Sequence, residues 1–279
     1  MTTTQQERLP ETALPNPIRL GFTQAALEMK SFVRAKDMVF FTLGLPLMFL
    51  LVFGLVFAGE LEGTEVSVGQ WFTPGIIAAS VLSAGIVNLA TSMAIERHDG
   101  TLRRLALTPL PTTSYLIGKI LMTVVTAIGM TVVLLGVGVL LFDVTLPTDT
   151  DRWMTFGWVF GLGVVASSVL GIAMSSIPRS AKSASAVFNL PFLGLMFISG
   201  VFIESNSIPD WVRTVAGVFP LRWLASGMRS VFLPAEFEQI FEPGGSYDLD
   251  IGAAVLAAWV VVGFVFAVAT FRWGRERRR

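Results

Sequence analysis

The sequence predicts an all-α membrane protein with six transmembrane helices, on the basis of its composition, its apolar runs and the placement of its charges. Of the 279 residues, 53% are hydrophobic and 14% are charged, and the mean hydropathy is +0.69. Soluble domains carry about 25% charged residues, so a soluble fold is excluded. A crossing helix needs about 20 apolar residues. Six runs qualify: 39–58, 72–95, 115–142, 153–177, 184–203 and 251–271.

The placement of the basic residues predicts the orientation. Sixteen of the 20 Lys and Arg residues lie in the amino-terminal segment, between the second and third spans or at the start of the third, in the turn 178–183 or in the carboxyl-terminal tail. Thirteen of the 20 Asp and Glu residues lie in the three other loops. Basic loops stay in the cytosol, so both termini are predicted to be cytosolic. Residues 1–36 contain no apolar segment of the kind found in a signal peptide.

One basic residue of this set, Lys119, falls inside the third apolar run, 115–142, and is the one charged residue in the six runs. Because it is close to the start of that span, we expect its side chain to snorkel to the interface. The whole-chain net charge is zero, which argues against a nucleic-acid partner. The zero is the sum of an excess of nine positive charges inside and nine negative charges outside.

The segment before the first span is predicted to form an amphipathic interface helix over residues 18–37. Residues 1–17 contain three prolines and polar side chains and are predicted to be disordered. A basic face next to an apolar one favours a position along the cytosolic membrane surface, and packing on a soluble partner is the alternative. The apolar face comprises Phe22, Ala25, Ala26, Met29, Phe32 and Val33.

Two further segments are apolar but too short to cross a membrane. Residues 208–233, in the last outer loop, predict two short helices opened by proline, which we expect to re-enter the outer leaflet. Residues 97–110 predict a short cytosolic helix, with Gly100 as a break, Thr101 as N-cap, and Leu102 and Leu105 on the face opposite Arg103. Such a helix could transmit motion from a cytosolic partner, and a solvated basic loop is the alternative.

Polar residues inside the spans mark the candidate transport path. A stripe in the second span and two positions in the fifth are compatible either with a substrate pathway or with hydrogen bonds between helices. In the fourth span, small residues recur every four positions and predict close helix packing. The pathway candidates are Ser80, Ser83, Asn88, Thr91, Phe188 and Asn189.

No catalytic or metal site is predicted. His98, the single histidine, lies in a charged loop, the chain has no cysteine, and no Asp or Glu lies within the six apolar runs. These features argue against an intramembrane protease, an acid–base lipid enzyme and an ion-coupled carrier. Gly118 and Lys119 lack the upstream glycine of a phosphate-binding loop, so active transport would need energy from another chain.

Two stretches resemble a known family. Residues 94–119, AIERHDGTLRRLALTPLPTTSYLIGK, resemble the coupling region of type-two ABC exporter permeases. Residues 190–229 resemble the fifth span and re-entrant segment of the drug-exporter branch, which is related to daunorubicin-resistance permeases. The resemblance covers most of the chain, because both motifs occur in the right order within a six-span topology.

The resemblance implies a function, partners and site residues. It implies the membrane subunit of an ATP-driven exporter in a bacterial plasma membrane, working with a second permease copy, identical or related. A separate ATPase would bind ATP and Mg²⁺, and this chain would hold no cofactor of its own. The substrate would be a hydrophobic or amphiphilic drug, antibiotic or lipid. The ATPase contact would comprise Glu96, Arg97, Gly100, Thr101, Leu102, Arg103 and Leu105, with Glu28 and Arg34 from the interface helix.

Two other functions stay open at the level of sequence. A permease of this kind could export a lipid-linked glycan or another cell-envelope polymer. A membrane scaffold or sensor could instead use an ATPase for signalling without transport. ATP-dependent movement of an amphiphile in liposomes separates an exporter from such a scaffold, which would give none.

Overall fold

The computed structural model describes residues 16–57, 59–61, 64–203 and 207–271. Over these residues the chain is built from helices, and six of them are long and apolar enough to cross a membrane. The second crossing element is continuous from Val68 to His98 and contains α3, a π-helical turn and α4. The helices are α1 Pro17–Arg34, α2 Lys36–Val56, α3 Val68–Ser83, the π-helical turn Ala84–Leu89, α4 Ala90–His98, α5 Thr101–Ala106, α6 Thr112–Phe142, α7 Thr150–Met174, α8 Ala181–Ile198, α9 Asp210–Val218, α10 Pro220–Phe232, α11 Glu236–Phe241 and α12 Leu249–Thr270.

The crossing helices begin two to four residues before the apolar runs that predict them. The reason is that the first turn of each helix contains polar or charged residues, such as Lys36 of α2 and Asp151 of α7, which an apolar run leaves out. Ser67 and Gln70 illustrate this, since they form a reciprocal capping box that starts α3 at Val68. Gln70 Nε2 also donates to the Asp143 carbonyl at 2.9 Å, which ties this end of α3 to the end of α6.

The second crossing element is the centre of the molecule. In its most apolar stretch 72% of the residues are buried within the chain, against 11% for α2 and 17% for α12. Helices α2, α6, α7 and α10 all pack against α3. Helices α2, α12 and α8, the last with 22% of its residues buried, leave most of their apolar surface outside the chain and offer it to lipid or to another subunit.

Helix α1 lies against α6, and its surface divides into three faces. Gly21, Gln24 and Glu28 face the protein, as the close approach of Gly21 to Ile117 and of Gln24 to Gly118 shows. An exposed apolar stripe contains Ile18, Phe22 and Val33. An exposed cationic stripe beside it contains Arg19, Lys30 and Arg34. The helix ends at Arg34 rather than at residue 37, because Ala35 leaves the helical conformation.

The predicted outer segment, residues 208–233, forms two helices that meet at Phe219. Pro220 starts α10 because a proline tolerates the first helical position, where no backbone N–H is needed. Helix α10 has 13 residues, too few to cross a membrane, and it is buried against α3, α7 and α12 through Leu221, Leu224 and Met228. The predicted disordered tail, residues 1–17, lies outside the described residues except for Asn16, which caps α1, and Pro17.

Candidate functional site

A cavity of about 740 Å³ lies between α2, the second crossing element and α8. Five of the six residues predicted for the transport path line it: Ser80, Ser83, Asn88, Thr91 and Asn189. The sixth, Phe188, is buried in the core instead. The structure therefore brings the polar stripe of the second span and Asn189 of the fifth span to one cavity.

The opposite wall of this cavity is apolar and comes from α2. Met38, Phe41, Leu45 and Phe49 line it. Sequence reasoning missed this wall because α2 is apolar on all sides, so no periodic pattern distinguishes the face that lines a cavity. The resulting cavity is largely apolar with a few polar groups, the arrangement typical of sites for amphiphilic small molecules.

The π-helical turn Ala84–Leu89 lies in the middle of the polar wall. A π-helical turn has hydrogen bonds from residue i to i+5 and so contains one residue more than an α-helical turn. Ser80 and Ser83 line the cavity before this turn, Val87 and Asn88 within it, and Thr91, Ser92, Ile95 and Glu96 after it. Inserted turns of this type occur frequently at functional sites.

Glycine residues let this turn contact α7 backbone to backbone. A Cβ atom at Gly85 would overlap the Ser167 main chain, and a Cβ atom at Gly171 would overlap the Gly85 carbonyl oxygen. The predicted small-residue face of the fourth span thus packs on the π-helical turn. Gly157 and Gly161 of the same helix have no heavy atom within 4 Å of an added Cβ and do not take part.

The hydroxyl groups of the stripe differ in their hydrogen bonds. Ser80 Oγ donates to the Ile77 carbonyl at 2.8 Å, and Ser83 Oγ donates to the Ser80 carbonyl at 3.0 Å. Thr91 Oγ1 is buried and has no hydrogen-bond partner within the described part of the chain. A buried hydroxyl without a partner is costly, and Thr91 is the hydroxyl of this stripe whose hydrogen-bonding capacity is unused within the described residues.

A charged cluster lies at the α4 end of the same wall, beside a second cavity of about 350 Å³. The sequence position of Lys119 predicts that its side chain snorkels to the interface. This prediction is wrong, because the side chain is buried. Its side chain is 2% exposed and forms ion pairs with Glu28 and Glu96. Tyr115 donates to the second oxygen of Glu96 at 2.7 Å. A buried lysine ammonium group loses its hydration and is stabilised by paired carboxylates. For Lys119 the carboxylates of Glu28 and Glu96 take the place of water.

The segment after α4 has the predicted break and a short helix. Gly100 has φ +75°, a conformation that glycine adopts without strain, and it serves as the N-cap in place of Thr101. Leu102 is 8% exposed and packs with Met93 and Tyr115, so it belongs to the core. The outward surface of α5 and the residue after it consists of Arg103, Arg104 and Leu107.

The base of α4 is also held on its other side. Arg97 and His98 both donate to the Pro178 carbonyl in the turn between α7 and α8, at 2.9 Å and 3.0 Å. Of the residues predicted for the ATPase contact, Glu28 and Glu96 point inward to Lys119, and Arg34 is exposed. The ATPase contact itself stays a prediction.

The family model for ABC-2 type transporters matches residues 22–233, which include the cavity, the charged cluster and the segment around α5. The chain belongs to this family.

Several relatives of this ABC-2 type transporter chain are named as permeases of ABC transporters. It is 26% identical over 250 residues to the daunorubicin resistance ABC transporter permease protein DrrB1 of Streptomyces coeruleorubidus, covering 84% of this chain and 78% of DrrB1. It is 22% identical to the probable multidrug ABC transporter permease YbhR of Escherichia coli K12 over 59% of this chain and 44% of YbhR. It is 26% identical to the probable multidrug ABC transporter permease YbhS of the same strain over 61% of this chain and 47% of YbhS. The matches thus span less than half the length of the last two relatives.

The opposite end of this ABC-2 type transporter contains a second buried charge pair that sequence reasoning missed. Arg229 on α10 is 1% exposed, and its guanidinium lies 3.5 Å from Glu242 and 4.6 Å from the ring centre of Trp71. It also donates to the Gly200 carbonyl at the end of α8. Burial raises the pKa of the Glu242 carboxyl group, and the charge of Arg229 opposes this rise. The pair holds the outer segment over α3 and α8.

Proposed function

We propose that this chain is the permease subunit of an ATP-driven exporter that moves a hydrophobic or amphiphilic molecule out across a bacterial plasma membrane. The supporting observation is the cavity between α2, the second crossing element and α8, which combines an apolar wall with a polar stripe. A separate ATPase supplies the energy and binds ATP and Mg²⁺. The printed names of the relatives, multidrug and daunorubicin resistance permeases, favour the same substrate class.

The proposal includes the arrangement of the complex. The ATPase contacts the exposed side of α5 on the cytosolic face, together with Arg34 of α1. A second permease copy covers the apolar surface that α2 and α8 leave open beside the cavity. The exposed apolar stripe of α1 lies in the membrane interface with its cationic stripe toward lipid phosphate. Helix α10 enters the outer leaflet, which its burial by three neighbouring helices permits.

The test is reconstitution of the chain with its ATPase in liposomes. We expect ATP-dependent movement of a fluorescent amphiphile, together with co-purification of the two proteins. Reversing the charges of Arg103 and Arg104 to Glu is expected to lower the ATP-dependent rate at least about tenfold, since charge pairs at an interface act strongly on association. Glu236→Lys, an exposed outer position, is the matched control and should leave the rate unchanged.

The outcomes separate the alternatives. Movement of a lipid-linked glycan but of no small amphiphile would replace the proposed substrate class. An ATPase that binds without any ATP-dependent movement would indicate a scaffold or sensor. Full activity in the Arg103 and Arg104 variant would show that the ATPase binds elsewhere.

Thr91 gives a second, independent prediction. Thr91→Val removes the unpaired hydroxyl at nearly constant volume, so we expect the transition temperature to rise slightly in the absence of substrate. The same change should raise the apparent KM for an amphiphile with a hydrogen-bonding group about three- to tenfold, the equivalent of one hydrogen bond.

Ser83→Ala is the matched control for this experiment, because the Ser83 hydroxyl already donates to a carbonyl of its own helix. Its KM should stay within about twofold of the wild-type value. Equal KM values for Thr91→Val and the wild type would remove Thr91 from the substrate contacts.

A further inference from the structure

Three helices meet at one buried ammonium group. Lys119 Nζ lies 3.1 Å from Glu28 Oε1 of α1 and 3.3 Å from Ser92 Oγ of α4, and it pairs with Glu96 Oε1, also of α4. An ammonium group has three hydrogens to donate, so these three oxygens match its full capacity. Lys119 itself belongs to α6, and the site therefore joins α1, α4 and α6 at a single atom.

The surrounding contacts make this junction tight. Tyr115 lies one turn before Lys119 on α6; it donates to Glu96 Oε2 at 2.7 Å, and its ring centre is 5.5 Å from Lys119 Nζ. On α1, Gln24 donates to Glu28 Oε1 at 3.1 Å. A Cβ atom at Gly118 would lie 2.7 Å from Gln24 Cγ, so α1 and α6 approach closely beside the ion pairs.

The junction lies next to the segment assigned to the ATPase contact. Glu96 is only four residues before Gly100, where the chain turns into α5. Leu102 of α5 packs with Met93 and Tyr115, so a displacement of α5 acts directly on the helices that hold Lys119. Glu96 also lines both cavities, and a displacement of α4 therefore reaches the candidate substrate path.

A stabilising role alone accounts poorly for this choice of residues. Buried ion pairs are often no more stabilising than apolar side chains of the same volume, because the charges lose their hydration. What an ion-pair network adds over an apolar contact is a defined geometry, since several hydrogen bonds must be satisfied at once.

We propose that Lys119 is a positioning residue of the export cycle, which holds α1 and the end of α4 on α6 so that a displacement of α5 moves the three helices together. The inference rests on the proposed function for the source of that displacement. The contacts among the three helices do not depend on it.

The experiment uses the full chain in lipid nanodiscs and exploits its lack of cysteine. Spin labels at Val33→Cys and Leu107→Cys, both exposed, report the distance between α1 and the end of α5. The test variant carries Lys119→Met, Glu28→Gln and Glu96→Gln together, so that no buried charge is left unpaired. We expect its transition temperature to stay near that of the labelled parent and its distance distribution to broaden about twofold.

Two controls make the result specific. Lys119→Arg retains the cation and should retain the narrow distribution, and Asp37→Asn, an exposed acid at the start of α2, should change nothing. If the triple variant does not fold, the single variant Glu28→Gln decides by the width of the same distance distribution. It leaves the ion pair of Lys119 and Glu96, whose net charge is zero, and removes only the ion pair to α1.

The two readouts also separate this inference from the proposed function. A parental distance distribution in the deciding variant overturns the positioning role, and so does export at the wild-type rate by that variant. Absence of export by the wild-type complex overturns the proposed function instead and leaves the nanodisc result standing.

Discussion

Replacing Gly85 by Ala is expected to lower the free energy of unfolding by about 3 kcal/mol, near the upper end of what overpacking a core costs. The added methyl group would overlap the main chain of Ser167, and a main chain cannot move aside as a flexible side chain can. For a chain of this size the loss corresponds to a fall in transition temperature of roughly 10 °C. Thermal unfolding of the purified chain in detergent measures it.

The matched control for Gly85→Ala is Gly161→Ala. Gly161 lies inside α7, the helix that Gly85 contacts, but an added Cβ there meets no heavy atom within 4 Å. Alanine favours a helix over glycine by about 1 kcal/mol, so this variant should be as stable as the wild type or slightly more stable. Wild-type stability of Gly85→Ala would mean that the π-helical turn and α7 are not in backbone contact.

Replacing Arg229 by Met is expected to destabilise the fold by about 3–5 kcal/mol, the usual cost of leaving one member of a buried ion pair without its partner. The change also removes the contact with the Trp71 ring and the hydrogen bond to the Gly200 carbonyl. The double variant Arg229→Met with Glu242→Gln should regain a large part of this loss, because no charge is then left buried alone.

The stability of the single variant Arg229→Met should also depend on pH. Burial raises the pKa of Glu242, and the opposing charge of Arg229 is absent in the variant, so the pKa of Glu242 rises further. A carboxyl group whose pKa is higher in the folded state favours folding most below its unfolded pKa, near 4.3, and this contribution is lost as the pH rises through the folded pKa. The stability difference between the variant and the wild type should therefore be smaller at pH 5 than at pH 8.

Arg222→Met is the control on the same helix. Arg222 is partly exposed; it stacks on Trp223 with 5.3 Å between the guanidinium carbon and the ring centre, and it donates to the Arg213 carbonyl at 2.8 Å. Losing these contacts should cost only about 1–2 kcal/mol. A larger loss for Arg222→Met than for Arg229→Met would show that the Arg229–Glu242 pair does not hold the outer segment.

The sequence determined the features that depend on local composition. Six apolar runs of about 20 residues or more predict six crossing helices, because a polar backbone in lipid has to satisfy its own hydrogen bonds within a helix. Gly100 marked the break before α5, since a positive φ is unstrained only without a Cβ. The motif around Glu96 and Gly100 indicated the family, which the match over residues 22–233 confirms.

The polar stripe shows the limit of a local reading. Ser80, Ser83, Asn88 and Thr91 were recognised by residue type and spacing, but nothing in that spacing marks the π-helical turn between Ser83 and Asn88. That turn packs on Gly171 and Ser167 of α7, far away in the sequence. Periodicity within one helix contains no information about such a contact.

Buried charges were decided by the tertiary structure alone. By sequence, Lys119 is a lysine near a helix end that could reach water, and Arg229 is a basic residue in an outer loop. Whether such a side chain reaches water or a carboxylate depends on which helices surround it. Glu28, Glu96 and Glu242 lie 91, 23 and 13 residues from their partners, and only the folded chain brings them within ion-pair distance, where the paired charge replaces the lost hydration.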